Sequence, residues 1–274
     1  MAINKDSNGY TILFAFILVI VVGGMLAFVS QSLKPMQVEN LKNEKKQNIL
    51  NSIPALKSIQ RNDAGGKFEE YVIERMIIDF EGNVIEGTKK TAKDKIDPKD
   101  ENDAFNLDLL KQFRNKDISE KDKKYPLYIC QVEDKKYYVL TFSGKGLWDA
   151  IWGFVSVEED KKTIAGAIFD HKAETPGLGA EINTDKFEDQ FDRSKRESNG
   201  QKPLLVGFLE GENFTSIQVP KPGSISDEKS TTYEVNGISG GTFTSVGVQN
   251  MFYNTIKGKD NGAMLPYYKY FNKS

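Results

Sequence analysis

Residues 127–169, LYICQVEDKKYYVLTFSGKGLWDAIWGFVSVEEDKKTIAGAIF, decide the fold class of this chain. The segment holds short runs rich in Val, Ile, Leu, Phe and Tyr, the residue types that favour strands. Short polar connections separate the runs, such as the one across 133–136, which is typical of consecutive antiparallel strands. The sequence therefore predicts four strands, over 127–132, 137–142, 151–157 and 164–169.

The flanking sequence adds strands and helices to this sheet. Residues 72–86 predict a β-hairpin around a Glu-Gly-Asn turn, and 204–210 with 215–219 predict a further strand pair. Apolar side chains at helical spacing predict a helix over 243–256, and the charged segment 88–125 predicts a solvated insertion with one short helix. The pattern favours an α+β fold, with an antiparallel sheet and helices packed on one side.

An N-terminal apolar run precedes this domain. Residues 10–29, YTILFAFILVIVVGGMLAFV, are twenty residues without a charge. A helix of this length spans roughly 30 Å, the thickness of the bilayer's hydrocarbon core. The run is longer than the apolar part of a secretory signal, and no Ala-x-Ala cleavage pattern follows it. It predicts one uncleaved transmembrane helix. The lysines after it, Lys34, Lys42, Lys45 and Lys46, would by charge alone place the domain in the cytoplasm.

Composition excludes several kinds of site. The 274 residues include one Cys and one His, so the chain cannot form an internal disulfide, a Cys/His zinc site or an iron–sulfur cluster. The net charge of −2 gives no general attraction to nucleic acid. We therefore predict no metal site and no nucleic-acid partner.

The segment Gly237–Gly241, GISGG, fits the G-x-S-x-G pattern of hydrolase nucleophile elbows, with Ser239 as the nucleophile. In that fold the catalytic His follows the Ser along the chain. The single His of this chain, His171, precedes Ser239, so the pattern is disfavoured as a serine hydrolase. A further alternative is a non-catalytic, membrane-tethered interaction domain.

The same segment opens the predicted helix with Ser239, Gly240, Gly241 and Thr242. The first N–H groups of a helix are unpaired and carry the positive end of the helix dipole. Two glycines at this point let a bulky anion approach the backbone. Thr242 is therefore placed to contact or to carry a phosphate. The alternative is that Ser239 or Thr242 only caps the helix.

Two other segments concentrate unusual residues. In His171–Gly179, HKAETPGLG, Pro176–Gly177 forces a turn beside Leu178. Such a turn either presents backbone amides and one aliphatic side chain to a flat ligand or simply makes a tight corner between strands. In GKGLWDAIWGF at 144–154, Trp148 belongs either to the core or to the rim of a planar cofactor.

Three segments, 144–154, 171–182 and 239–251, occur in this order after a membrane span, and together they resemble the FMN-binding domain family. Within that family the chain is most similar to the C subunits of sodium-translocating NADH:quinone reductases. The G subunits of Rnf electron-transport complexes share the second and third segments, and they remain an alternative.

The resemblance implies a covalent cofactor. In the family, FMN is joined by a phosphoester to the last Thr of an S/T-G-A-T element, which corresponds to Thr242. Gly241 replaces the usual Ala of that element, after Ser239 and Gly240. Asn236 stands where family members commonly have an acidic residue that helps a flavin transferase.

The second segment is implied to line the flavin, through Glu174, Thr175, Leu178 and Gly179, and Trp148 is included in the same predicted site. On this interpretation the chain divides into five parts. They are a flank at 1–9, a transmembrane anchor at 10–30, a helical stalk at 31–60, an α+β region with the charged insertion at 61–140, and the FMN-binding domain at 141–274.

The resemblance also implies a function. The chain would be an electron-carrying subunit of a bacterial inner-membrane complex that couples NADH oxidation and quinone reduction to sodium export. Its partners would be the other membrane and peripheral subunits, with a flavin transferase during maturation. The family's domain lies on the periplasmic side, opposite to the side that the flanking charges indicate.

Overall fold

A computed structural model describes residues 7–115, 117–210, 213–252, 255–256, 259–260 and 264–273. The chain divides between Lys45 and Lys46 into two compact units, which are described separately.

The N-terminal unit consists of the first part of one long helix, α1, Asn8–Asn51. Among the described residues, α1 is the one helix long and apolar enough to cross a membrane, and the side chains of its apolar segment are exposed. Anchor and stalk are therefore one continuous helix that contains Pro35. The predicted boundary between them, at residue 30, lies inside this helix and stays a prediction.

The second unit contains a six-stranded antiparallel sheet in the order β2-β1-β3-β4-β5-β6. The four strands predicted over 127–169 form its centre and one edge. The strands are β1 Val72–Ile78, β2 Lys90–Thr91, β3 Tyr125–Val132, β4 Lys135–Lys145, β5 Ala150–Glu158 and β6 Ile164–His171. Two small hairpins pair β7 Phe208–Glu210 with β8 Asn213–Thr215, and β9 Thr255–Ile256 with β10 Lys259–Asp260.

Short helices connect and cover these strands. They are α2 Ala64–Tyr71, α3 Leu109–Arg114, α4 Asp185–Glu188, α5 Arg193–Ser198, α6 Thr242–Phe252 and α7 Met264–Lys273. Single 3₁₀ turns lie at Pro54–Leu56, Ala104–Asn106, Glu120–Asp122 and Gly179–Asn183. The combination confirms the predicted α+β class with an antiparallel sheet and helices.

Hydrophobic cores lie on both faces of the sheet, because successive residues of a strand point to opposite faces. Leu140 belongs to the core that α6 and α7 cover, with Phe252 and Tyr267. Its neighbour Val139 belongs to the other core, with Leu50 from the end of α1. The sequence predicted helices on one side of the sheet, and the structure covers the second face as well.

Several predicted elements are shorter in the structure. After β1, a turn and a single bridge between Ile78 and Val84 replace the second strand of the predicted hairpin. Of the strand predicted over 204–210, the structure contains only the part that forms β7. Gly207 has a φ of +146° and interrupts the extended backbone before it. The helix predicted to residue 256 ends at Phe252, and residues 253–254 lie outside the described part.

Candidate functional site

The three motif segments meet in space through one buried carboxylate. Glu174 follows β6 and is only 5% exposed. Its Oε1 accepts a hydrogen bond from the backbone N–H of Trp148 at 3.0 Å. Its Oε2 accepts from the N–H of Leu147 at 3.3 Å and from the hydroxyl of Thr244 at 2.5 Å. Glu174 thereby joins the loop before β5, the turn after β6 and the first turn of α6.

These hydrogen bonds also set the charge of Glu174. Burial alone would raise its pKa, but the bonds from Thr244, Trp148 and Leu147 favour the charged form and lower the pKa below its usual value. The side chain is therefore an anion at neutral pH. Both oxygens of Glu174 accept hydrogen bonds from the protein itself. The side chain therefore links the three segments on the buried side of the site.

Glycines make this close packing possible. A Cβ on Gly146 would lie 2.5 Å from Oε1 of Glu174, and one on Gly179 would lie 2.6 Å from Oε2 and 2.3 Å from the Thr244 hydroxyl oxygen. Gly240, with a φ of +77°, would place a Cβ 2.6 Å from the Leu178 side chain. A larger residue at Gly146 or Gly179 would displace Glu174 or Thr244, and one at Gly240 would be strained by the positive φ.

Thr242 is the first residue of α6, and both it and Ser239 are exposed. Among the described residues, neither side chain has a hydrogen-bond partner. The start of the helix is instead held by Ser245, whose hydroxyl accepts from the N–H of Ile238 at 2.9 Å and donates to the carbonyl of Gly241 at 3.0 Å. Ser245 thus ties the residues before α6 to its first turn, and no described side-chain hydrogen bond from Ser239 or Thr242 caps the helix. The Thr242 side chain is exposed.

Large apolar side chains of the same three segments are exposed, and two of them, Phe243 and Val246, lie within about one helix turn of Thr242. We call this set the apolar rim, and its members are Leu147, Trp148, Leu178, Phe243 and Val246, all exposed. Trp148 is 66% exposed, so it is part of the surface rather than of the core, and its indole N–H donates to the hydroxyl of Thr175 at 3.1 Å. A cluster of exposed apolar groups on a folded domain marks a site where something binds.

This surface fits FMN in its chemical character. The hydroxyl of Thr242 stands at the unpaired N–H groups of a helix start, which suit a phosphate. Gly240 and Gly241 add no side chain before it, and the apolar rim suits a flat, mostly apolar ring. Thr175, Leu178 and Trp148 border the same surface.

The structure gives no support to the hydrolase interpretation. The Nδ1 atom of His171 accepts the backbone N–H of Glu174 at 3.2 Å, so it helps to shape the turn. No hydrogen bond joins His171 to Ser239 among the described residues. Nor do the described residues contain a group of three or more His, Cys, Asp or Glu that could hold a metal ion.

Asn236 has a structural contact that the sequence did not indicate. Its side-chain amide donates to Glu228 at 2.6 Å and accepts the N–H of Gly223 at 3.1 Å. An aspartate here could not donate to Glu228 and would repel it. Asn236, where the family pattern has an acidic residue, is thus compatible with the loop that contains Gly223 and Glu228.

Two cavities border residues of the three motif segments. One of about 700 Å³ is bordered by Ser239, Gly177 and Lys186. The other, of about 430 Å³, is bordered by Trp148 and Lys145. Trp148 of the apolar rim thus borders the smaller recess, and Ser239, three residues before Thr242, borders the larger one.

Sequence reasoning named Glu174 but missed Thr244, Ser245 and Leu147. Thr244 and Ser245 could have been noticed as polar residues on the buried side of the first helix turn. The backbone N–H of Leu147 has no signal in the sequence, because its role depends on a contact with a residue 27 positions away.

Known proteins share this architecture. Residues 146–257 match the model of the FMN-binding domain. The C subunit of the Na(+)-translocating NADH-quinone reductase of Vibrio alginolyticus is 29% identical over 97% of this chain and 96% of its own length. The corresponding protein of Pseudomonas aeruginosa is 28% identical over 94% of each chain.

Two solved structures resemble this chain in fold. The crystal structure of the C subunit of the Na(+)-translocating NADH-quinone reductase from Parabacteroides distasonis has 33% sequence identity and a TM-score of 0.64, covering 88% of this chain and 98% of that chain. The structure of Shewanella oneidensis NqrC shares the fold, at 20% identity and a TM-score of 0.57, over 85% of this chain and 97% of that one. This chain therefore belongs to the family of C subunits of Na(+)-translocating NADH-quinone reductases.

Proposed function

We propose that this protein carries FMN in phosphoester linkage to Thr242 and transfers electrons within a sodium-translocating NADH:quinone reductase. The observation that carries the proposal is the exposed hydroxyl of Thr242, which stands at a helix start beside the apolar rim. Family membership supports the cofactor and the complex, and the residues of the site support the point of attachment.

The chain supplies an attachment point and a fixed surface. Thr242 provides the hydroxyl oxygen of the ester, and its exposure leaves it open to a flavin transferase acting on the folded domain. The unpaired N–H groups at the start of α6 favour the negative charge of the phosphate. Glu174 keeps the three segments in register, so that the rim and the attachment point stay together.

The bound flavin would supply the redox chemistry, accepting and donating electrons. The protein's own part is to hold it and to limit its contact with water. Trp148, fixed through Thr175, and the exposed Phe243 offer apolar surface for that purpose.

We propose a single-pass location in a bacterial inner membrane, with α1 as anchor and the flavin domain in the periplasm. The length and apolar character of α1 support the anchor. The other membrane and peripheral subunits of the reductase would be the electron donors and acceptors.

The linkage can be tested with the full chain, co-expressed with an active flavin transferase. After denaturation in detergent, the wild-type band should fluoresce as a flavin does, and Thr242→Ala should be dark. Thr242→Ser is the matched control that keeps a hydroxyl and should retain fluorescence. A dark wild-type band would contradict the carrier function. Fluorescence retained in Thr242→Ala would show that FMN is attached to another residue.

A further inference from the structure

We propose that Lys145 is the cation that raises the reduction potential of the flavin, acting from the Trp148 side of the apolar rim. The inference rests on the proposed function, because it concerns a flavin held at Thr242. It specifies on which side of Thr242 the flavin ring lies and which charged side chain is near the ring.

The backbone at Lys145 is fixed against the helix that carries Thr242. Lys145 is the last residue of β4, and a Cβ on Gly247 would lie 2.4 Å from its carbonyl oxygen. Strand and helix are therefore in direct backbone contact at this point. Gly247 follows Thr242 by five residues, about 7.5 Å along the helix axis. The ribityl chain between phosphate and ring gives a flavin the length to reach this region.

Of the described cations that line this recess or pair with its Asp149, Lys145 is the one without an ion pair. Arg114 and Lys172 both form ion pairs with Asp149, the latter at 2.9 Å. The Lys145 side chain is exposed and has no ion pair or hydrogen bond within the described part of the chain. Its charge is therefore not already matched by a carboxylate.

The shape of the surface favours the Lys145 side. The cavity of about 430 Å³ there is bordered by both Lys145 and the indole of Trp148. The side chain of Leu110 borders the same recess, and so do Arg114 and Asp149, which pair with each other. An aromatic ring, an aliphatic side chain and the unpaired cation of Lys145 suit a flat ring that becomes negative on reduction.

The larger cavity offers a direct comparison. Lys186 borders the cavity of about 700 Å³ beside Ser239, and it too is exposed without a described ion pair. If the ring lay on that side, Lys186 would be its nearest unmatched cation. The two lysines therefore distinguish two placements of the same tethered flavin.

A positive charge near the ring favours the reduced form, because added electrons bring negative charge to the pyrimidine part of the flavin. Replacing Lys145 by a neutral residue should lower the potential. We expect Lys145→Gln to reduce the equilibrium constant of one-electron reduction about tenfold, which corresponds to about 59 mV. Salt should weaken the difference between wild type and variant, since the lysine is exposed.

The experiment is a spectroelectrochemical titration of the full, flavin-loaded chain. Lys145→Gln should have a more negative midpoint potential, Lys145→Arg should restore the wild-type value, and Lys186→Gln should leave it unchanged. Equal potentials for Lys145→Gln and wild type would overturn the inference, as would a drop in Lys186→Gln instead. A wild-type chain without flavin would overturn the proposed function itself, whereas a loaded chain with unchanged potential overturns only the role of Lys145.

Discussion

The Thr244 hydroxyl donates a hydrogen bond of 2.5 Å to the buried carboxylate of Glu174, across 70 residues of sequence. This bond fastens the first turn of α6 to the turn after β6. The Thr two positions earlier, Thr242, faces outward from the same helix turn. One turn of helix thus presents an anchored threonine inward and a free threonine outward.

Thr244→Val should destabilise the domain, because it removes the hydroxyl and leaves one oxygen of a buried carboxylate with fewer donors. Hydrogen bonds to charged groups contribute about 1.5–3 kcal/mol, so we expect a loss in free energy of unfolding of that size. Urea unfolding of the full chain in detergent measures it. Thr242→Val, on the exposed side of the same turn, is the matched control and should change stability little. Equal losses in the two variants would count against the role of Glu174.

The buried carboxyl group of Glu188 should make the stability of the folded domain depend on pH. Burial raises its pKa to about 7, although the N–H of Phe169 and the charge of Lys57 act in the opposite direction. Between its ordinary value of 4.5 and about 7, the folded state holds a proton that the unfolded state releases. The contribution of Glu188 to stability should therefore fall as pH rises through this window and stay low above it.

Glu188→Gln should remove this dependence while keeping an oxygen to accept the N–H of Phe169. At pH 8 the variant should be more stable than wild type, by on the order of 1–3 kcal/mol. Urea unfolding at pH 5 and pH 8 measures the difference. The control is Asp185→Asn, which removes a neighbouring, exposed carboxylate that pairs with Lys57. A wild-type protein whose stability rises from pH 5 to pH 7 as much as that of Glu188→Gln would contradict the assignment.

Trp148 should report the presence of the flavin by fluorescence. A flavin close to an indole quenches its emission, and Trp148 belongs to the apolar rim, whereas Trp152 packs against the core on the other face of the sheet. Thr242→Ala should therefore have brighter tryptophan emission than the loaded wild type. The increase should disappear when Trp148→Phe is added and persist when Trp152→Phe is added. If Trp152 accounted for the whole increase, the flavin would not lie at the rim.

The single cysteine makes the membrane side of the domain testable. Cys130 is fully buried, and burial raises the pKa of its thiol to about 12, so it should not react with maleimides in the folded protein. Lys93→Cys places a thiol at an exposed turn. A membrane-impermeant maleimide should label this variant in cells whose outer membrane has been made permeable. Labelling only after the inner membrane is broken would place the domain in the cytoplasm.

The sequence predicted the central strands well, because β3 to β6 are local runs joined by short connections. It also marked three segments with recognisable motifs, and the structure brings these segments together at Glu174. The site residues in them stay a prediction. The contact of Glu174 with Thr244 could not be predicted, since it depends on how distant elements pack. The same is true of the second covered face, where Ile49 and Leu50 at the end of α1 enter the core.

The most direct test of the covalent flavin is peptide mapping by mass spectrometry of the full chain, purified after co-expression with a flavin transferase. We predict that the peptide containing Thr242 gains the mass of FMN less one water, and that fragmentation places the added mass on Thr242. Thr242→Ala should yield the corresponding peptide without the addition. An unmodified wild-type peptide, or an added mass located on Ser239 or Thr244, would contradict the assignment.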